Sequence, residues 1–408
     1  MEKSLRKYAE LAVRTGVNIG KGDILVINSP TECYEFTRMI VEAGYEAGAK
    51  EVVVHWGDEI VTRERYIHAS EEVFQTIPQW QIESVIYYGN QGAAFLSIYA
   101  TDPTLLKDAD PKRVSDYNAL RRKALKDHYD RIMSNKNRWS ILSIPTKTWS
   151  ESVFPELDAD KAVEKMWSAI FSVVRVDQEN PVEAWREHNE NLHRRREILN
   201  QKRFRKLYFK NSIGTDLCVE LPDGHIWLGG GDKDINGIDF IANMPTEEIF
   251  TLPKKDGVEG TVVSSKPLVY NGNIIDKFKM KFQKGRIVEF YAEKGMETLK
   301  GLIETDEGSK YLGEVALVPH DSPISNSGIT FLNTLYDENA SCHLAIGEAY
   351  SSCLEGGTFM KEEEKELAGA NTSLNHVDFM MGTEDLEIVG ETLSGEKIQV
   401  FKYGNWAF

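Results

Sequence analysis

Four short stretches place carboxylates and imidazoles at spacings that could do chemistry. PTEEIFTLP sets Glu247 beside Glu248 between two prolines, and YLGEVALVPH puts Glu314 ahead of the apolar run VALV. YDENASCHLAIGEAY holds Glu338 and His343 five positions apart and ends on Tyr350, while SLNHVDFMMG carries His376 and Asp378 two apart. Residues two apart on a strand share a face, so His376 and Asp378 make a rigid imidazole–carboxylate pair, with Val377 and Phe379 on the opposite, apolar side. Such a pair is a platform for zinc, cobalt or manganese. Each stretch also has a plain structural reading: a surface Glu pair, a strand-edge Glu in water, a hydrogen-bonded His–Asp pair in a core.

The setting of each stretch weighs between these readings. Glu247 and Glu248, adjacent on a strand, point to opposite faces, one inward and one to solvent. An inward Glu314 at the mouth of a buried strand needs a cation, because an unpaired buried charge is expensive. A gap of five puts Glu338 and His343 on no common face of a helix or strand. The stretch is either one corner of a metal site or an ordinary loop running into an amphipathic helix, with Tyr350 two turns beyond His343 and on the same face of any helix starting there. Four carboxylates and two imidazoles are too many for one ion with three protein ligands and an open position. They suit two divalent ions sharing bridging carboxylates, with a water between them. The mostly oxygen ligand set points to exchangeable ions.

Two other clusters read as structural. DKDINGIDFIAN, residues 232–243, matches a calcium loop at Asp232, Asp234, Asn236 and Gly237, but its twelfth position is Asn243 where a bidentate Glu belongs. A turn between strands explains it. Cys342 abuts His343, yet sequence neighbours seldom supply a nucleophile and its base, and a packed small residue is the better reading.

The elements that must position these residues fall into two halves. DILVINS, a helix through FTRMIVEAGYEAGA, and EVVVHW form a β-α-β unit with parallel strands. Ser29 is the expected helix cap, with Pro30 at the first helical position and Glu32 closing a capping box. SVIYYG, AFLSIYA and WSILSIPT are expected to extend the sheet. No glycine-rich phosphate loop follows the first strand, so the sheet reads as structural. Residues 158–206 read as helical, and the basic run HRRREILNQKRFRK follows Glu183, Glu187 and Glu190 on the same segment, which favours a solvated or subunit-facing helix. From KLYFKNSIGTDLCVELPDG onward, apolar and polar residues alternate between turns, as in antiparallel hairpins. The predicted fold is an α/β domain with a mostly parallel sheet over residues 1–200. An α+β domain follows over 201–408, with antiparallel, barrel-like strands capped by helices carrying the metal site.

A chain of 408 residues with net charge −16 repels nucleic acid and anionic membrane surfaces, and is long enough for two cores. No run approaches the ~18 apolar residues of a membrane helix. The start, MEKSLRKYAELAVRTG, has helical periodicity rather than a signal peptide. Four scattered cysteines, Cys33, Cys218, Cys342 and Cys353, fit a reducing cytoplasm.

With these residues in view, the chain resembles the aminopeptidase T / aminopeptidase S (PepS) family of metallopeptidases. The matching segments are NMPTEEIFTLP, YLGEVALVPHDSPI, YDENASCHLAIGEAY and NHVDFMMG, in that order, and the likeness extends through the DILVINSP junction. The resemblance implies that Glu248, Glu314, Glu338, His343, His376 and Asp378 bind two divalent ions (zinc, cobalt, manganese or magnesium). It also places Tyr350 at the active site. It further implies a cytoplasmic homodimer acting on short peptides with a free N-terminus. The expected chemistry is hydrolysis by a metal-activated bridging water, with Glu314 and Asp378 as bridging carboxylates and Tyr350 donating to the oxyanion. A dinuclear hydrolase of phosphate esters or non-peptide amides is the alternative. It would want Arg or Lys beside the ions, and the four segments contain neither. A metal-free binding protein is the remaining alternative.

Overall fold

A computed structural model describes residues 1–100, 102, 104–271 and 273–408. The chain divides into two compact units, Met1–Asn189 with Gly231–Pro245, and Glu190–Gly230 with Thr246–Phe408. Against a single boundary at residue 200, the division falls inside the helix Pro181–Lys202, and 231–245 belong to the first unit.

The first unit is built on a five-stranded sheet in the order Asn243–Met244, Trp139–Leu142, Ala94–Ile98, Ile24–Pro30, Glu51–Gly57, with parallel pairing throughout. The ILVI run of the interior strand Ile24–Pro30 is buried, as a strand covered on both faces must be. The helix Tyr34–Glu46 then buries Phe36, Thr37, Ile40, Ala43 and Gly44, the stripe that a 3.6-residue period aligns.

Two local expectations fail here. Ser29 and Pro30 remain in the strand, in register with Trp56 and Gly57, and the helix starts after a 3-10 turn at Thr31–Cys33 without a side-chain cap. The Ser29 hydroxyl lies 2.7 Å from Thr37 Oγ1 instead. SVIYYG is not a strand but the end of the helix Gln79–Asn90, which follows Pro78. Only Gly89 of that helix is buried, so its apolar residues spread around a surface helix rather than filling a sheet.

The 232–243 segment is a hairpin of Asp232–Lys233 against Asp239–Phe240. The Asp234 carboxylate accepts the Asn236 and Ile238 backbone N–H groups at 2.8 and 2.9 Å and sits 3.7 Å from Arg138 Nε, which leaves it committed to the turn.

The second unit consists of two antiparallel sheets. The larger begins with the expected hairpin, Phe204–Lys210 against Asp216–Glu220, whose alternation buries Leu207 and Phe209, with Phe204 buried at its start. It continues through Val258–Val263, Asn273–Gln283 and Arg286–Lys294 on one side and Glu387–Thr392 and Lys397–Lys402 on the other. The smaller sheet orders its strands His376–Met380, His343–Gly347, Leu312–Leu317, Ile249–Thr251, Leu228–Gly229. One face of it sends Val315, Leu317, Leu344, Ile346, Phe379 and Ile249 into an apolar core shared with Phe204, Leu207 and Phe278 of the larger sheet. Among the described residues no helix is long and apolar enough to cross a membrane.

Candidate metal centre

The opposite face of the smaller sheet carries the chemistry. Glu314, Ala345 and Asp378 stand directly across from one another on three neighbouring strands. Two residues along in one direction, Ala316 faces His343 and His343 faces Met380; two residues along in the other, His376 lies opposite Gly347. Opposed residues of antiparallel strands share a face, so Glu314, His343, His376 and Asp378 project to one side. The small residues Ala316, Ala345 and Gly347 leave the space between them open. Gly347 is required twice over: its φ is +109°, and a Cβ there would come within 2.2 Å of the Asn375 carbonyl oxygen.

Glu248 reaches this face from the segment leading into Ile249–Thr251, two residues before Phe250, which pairs with Ala316. Its approach depends on Gly229, φ +135°, whose Cβ would stand 2.4 Å from the Glu248 carbonyl oxygen.

The helix expected from His343 is instead a strand, His343–Gly347, buried at every residue between two partners. A strand covered on both sides reads as a continuous apolar run, and periodicity cannot tell such a run from a buried helix. Glu338 sits on a 3-10 turn, Glu338–Ala340, and Tyr350 follows the strand in a loop. The corner survives, with a strand in place of the helix. Glu247 is corrected too: it does not meet solvent, and at 4 % exposure it is as buried as Glu248 at 8 %.

His343 Nε2 lies 3.1 Å from Glu248 Oε2 and 3.5 Å from Glu314 Oε1. His376 Nε2 lies 3.5 Å from Glu314 Oε2 and 3.6 Å from Asp378 Oδ1. Two groups result, Glu248–Glu314–His343 and Glu314–His376–Asp378, and within each the ligand atoms lie within 4.8 Å of one another. Glu314 belongs to both, one oxygen toward each imidazole; Asp378 belongs to one. Glu338 lies outside both groups, although the Asp378 and Glu248 charges act on it. The Tyr350 ring packs on His376 at a centroid distance of 4.5 Å and meets Phe250 edge-on at 5.9 Å.

Hydrogen bonds behind the imidazoles aim them. Nδ1 of His343 faces the Ser341 carbonyl at 3.2 Å, and Nδ1 of His376 faces the Glu348 carbonyl at 2.7 Å. A carbonyl only accepts, so each Nδ1 carries a proton and each Nε2 is presented to the carboxylates. These backbone partners had no signature in the sequence, since any residue type supplies a carbonyl.

The electrostatics record crowded negative charge. Burial, reinforced by the Asp378 and Glu248 charges, pushes the Glu314 carboxyl up to about 7 despite its hydrogen bond with His343. Burial likewise raises Glu338 well above the usual carboxylate range, with Asp378 and Glu248 adding to the shift. Burial disfavours the charged imidazoles, yet Asp378 and Glu314 hold His376 up at about 9, and Glu248 and Glu314 raise His343 well above its ordinary value. Burial opposes ionisation of Asp378 as well, but His376 outweighs it and lowers its pKa. The Tyr350 hydroxyl is pushed far up by burial and then by the surrounding carboxylates.

Four carboxylates face two imidazoles, a set that fully ionised stays net negative even with both rings protonated, and among the described residues no Lys or Arg pairs with them. Asp378 Oδ1 is buried without a hydrogen-bond partner. Divalent cations fit this donor set of oxygen and imidazole nitrogen. Cys342 takes no part as a nucleophile: burial pushes its thiol up to about 12, and its Sγ donates to the Val318 carbonyl at 3.3 Å.

Residues 1–406 match the family model described as thermophilic metalloprotease (M29). The chain is 49% identical over 407 residues to Aminopeptidase 2 of Geobacillus stearothermophilus, covering 100% of this chain and 98% of that one. It is 47% identical over 406 residues to Aminopeptidase AmpS of Bacillus subtilis, covering 100% and 99%. Among solved structures, wild-type AmpT from Thermus thermophilus superposes with a TM-score of 0.94 at 38% identity over 100% of both chains. With a match running nearly end to end, the chain belongs to the M29 metalloprotease family.

Proposed function

We infer that this protein is a metal-dependent aminopeptidase that removes the N-terminal residue from short peptides, using two divalent ions. The observation that carries the reading is the Glu314 carboxylate, shared between two ligand groups with one oxygen toward each. Glu248, Glu314 and His343 would hold one ion and Glu314, His376 and Asp378 the other, with Glu338 completing the set. Ions held there supply Lewis acidity toward a carbonyl oxygen and lower the pKa of water. The chain's own part is to keep each Nε2 free through its Nδ1 bond, to exclude bulk water by burial, and to present the Tyr350 hydroxyl as donor to a developing oxyanion. The relatives named above are aminopeptidases, which supports the free N-terminus as the recognised group. Phosphate esters are the less favoured substrate class, because among the described residues no Arg or Lys pairs with the ligand carboxylates to hold a phosphate.

The reading extends to a barrel-like catalytic unit with a helical cap, and to a cytoplasmic homodimer in which the first unit serves structure and dimer formation. The four cysteines, scattered along the chain, support a reducing compartment. Trp56, Trp80 and Tyr87, all exposed on the first unit, supply apolar surface for a partner copy. Light scattering on the purified protein tests the dimer.

The activity is tested with free-amine and N-acetylated versions of the same dipeptides, before and after chelation and readdition of zinc, cobalt, manganese or magnesium. Cleavage confined to the free amines, lost on chelation and restored by metal, is expected. Equal cleavage of the acetylated substrates would rule out an aminopeptidase.

A further inference from the structure

Asn339 ties together two segments that meet only through the fold. Its side chain is fully buried, at 0 % exposure. The Oδ1 atom accepts the Glu247 backbone N–H at 2.8 Å, immediately before Glu248 in the chain. The Nδ2 group donates to the Leu335 carbonyl at 3.2 Å and to Glu338 Oε1 at 3.4 Å. Its own carbonyl accepts the Ser322 hydroxyl at 3.4 Å. One amide thus fastens the backbone that carries Glu248 and also touches the carboxylate of Glu338, residues ninety positions apart in the sequence.

We propose that Asn339 is a positioning residue for the ion held by Glu248, Glu314 and His343, acting through the Glu247–Glu248 backbone and the Glu338 carboxylate. The inference rests on the metal-site reading above. Its physical basis is that a ligand delivered from a loop is only as well placed as the loop. Glu314, His343, His376 and Asp378 are fixed by strand pairing, whereas Glu248 precedes its strand and Glu338 rides on a 3-10 turn. Those two carboxylates need another anchor, and Asn339 reaches both. No general role in packing predicts such a split: the group made by Glu314, His376 and Asp378 lies on paired strands that Asn339 does not touch through any of these hydrogen bonds.

The test is divalent-ion binding by the metal-free protein, titrated with cobalt against a competing chelator, in wild type and Asn339→Ala. Wild type is expected to take up two equivalents. In Asn339→Ala one equivalent should bind about 10–100-fold more weakly, the range for residues that orient metal ligands, while the other stays within threefold of wild type. Thermal unfolding of the metal-free variant checks that it folds. Should it not fold, Asn339→Asp, of nearly the same size, carries the test. It keeps an acceptor for the Glu247 N–H but faces Glu338 with a repelling oxygen in place of a donor, and one equivalent should again weaken. Two equivalents at or above wild-type affinity in the folded variant, or both weakened alike, overturn the proposal. A wild type that binds no divalent ion overturns the enzyme reading instead.

Discussion

Glu314 concentrates the demands of the site in one side chain. It lies on a strand buried at all six residues and divides its two oxygens between two imidazoles. Glu314→Gln keeps the volume and removes the charge on which both groups draw. Loss of at least one metal equivalent is expected, with a fall in kcat/KM beyond the ~10–100-fold typical of partners one step removed from the ion. Elemental analysis and cleavage of an aminoacyl chromogen measure the two effects. Tyr350 makes a different claim, because its contact with His376 is made by the ring and not by the hydroxyl proposed as a donor. Tyr350→Phe keeps the ring, so metal content should hold while kcat falls about 100-fold or more, as when an oxyanion donor is removed. An unchanged kcat would leave Tyr350 as a packing partner of His376. At this scale the sequence was informative: the three Glu-bearing stretches were legible as residue types, and His-x-Asp as a pair because two-residue alternation is a property of the strand itself. The inward position of Glu247 was not legible, since burial on both sides of a segment depends on what packs there.

Among the elements, the His343–Gly347 strand decides whether the site exists. Pairing on both edges sets His343 and Ala345 in register with Ala316, Glu314, Met380 and Asp378. At its end Gly347 lets the Asn375 backbone approach opposite His376. Gly347→Ala adds a clash to a positive φ, so a loss of about 1–3 kcal/mol is expected, read from denaturant unfolding of the metal-free protein. His376 sits opposite the strained position, so metal affinity in the Glu314–His376–Asp378 group should weaken as well. The sequence HLAIGEAY suggested a helix here, because a run of apolar residues with one Gly satisfies both templates. The pairing that makes it a central strand comes from segments thirty residues away on either side. The first parallel strands were legible from their β-branched runs, and SVIYYG was misread for the same reason as HLAIG: short apolar runs carry no period of their own.

The molecule as a whole comprises two compact units. In the first, His128 stacks edge-on to Phe95 at 4.9 Å, and burial together with the Arg121 and Arg131 charges lowers its pKa from 6.5 to about 4. A depressed histidine is neutral in the fold and takes up a proton on unfolding. Its stabilising contribution is therefore present above about pH 6.5 and lost as the pH falls toward 4. His128→Phe should flatten that acid-side loss, measured as the difference in urea midpoint between pH 7 and pH 5, and an equal loss in the variant would assign it to other groups. Composition and length pointed to two units, and the hairpin pattern placed the antiparallel half. The return of 231–245 to the first unit left no mark in composition, because its strand Asn243–Met244 is two residues long and is specified only by its pairing with Trp139–Leu142. By itself the sequence determined what local periodicity and residue chemistry encode: which segments alternate, which carry ligand-type side chains, and that their charge calls for cations. Tertiary structure alone decided which carboxylate is shared, which imidazole nitrogen faces inward, and how Glu248 and Glu338 are anchored. Those depend on distances between segments far apart in the chain, and only strand register and buried hydrogen bonds set such distances.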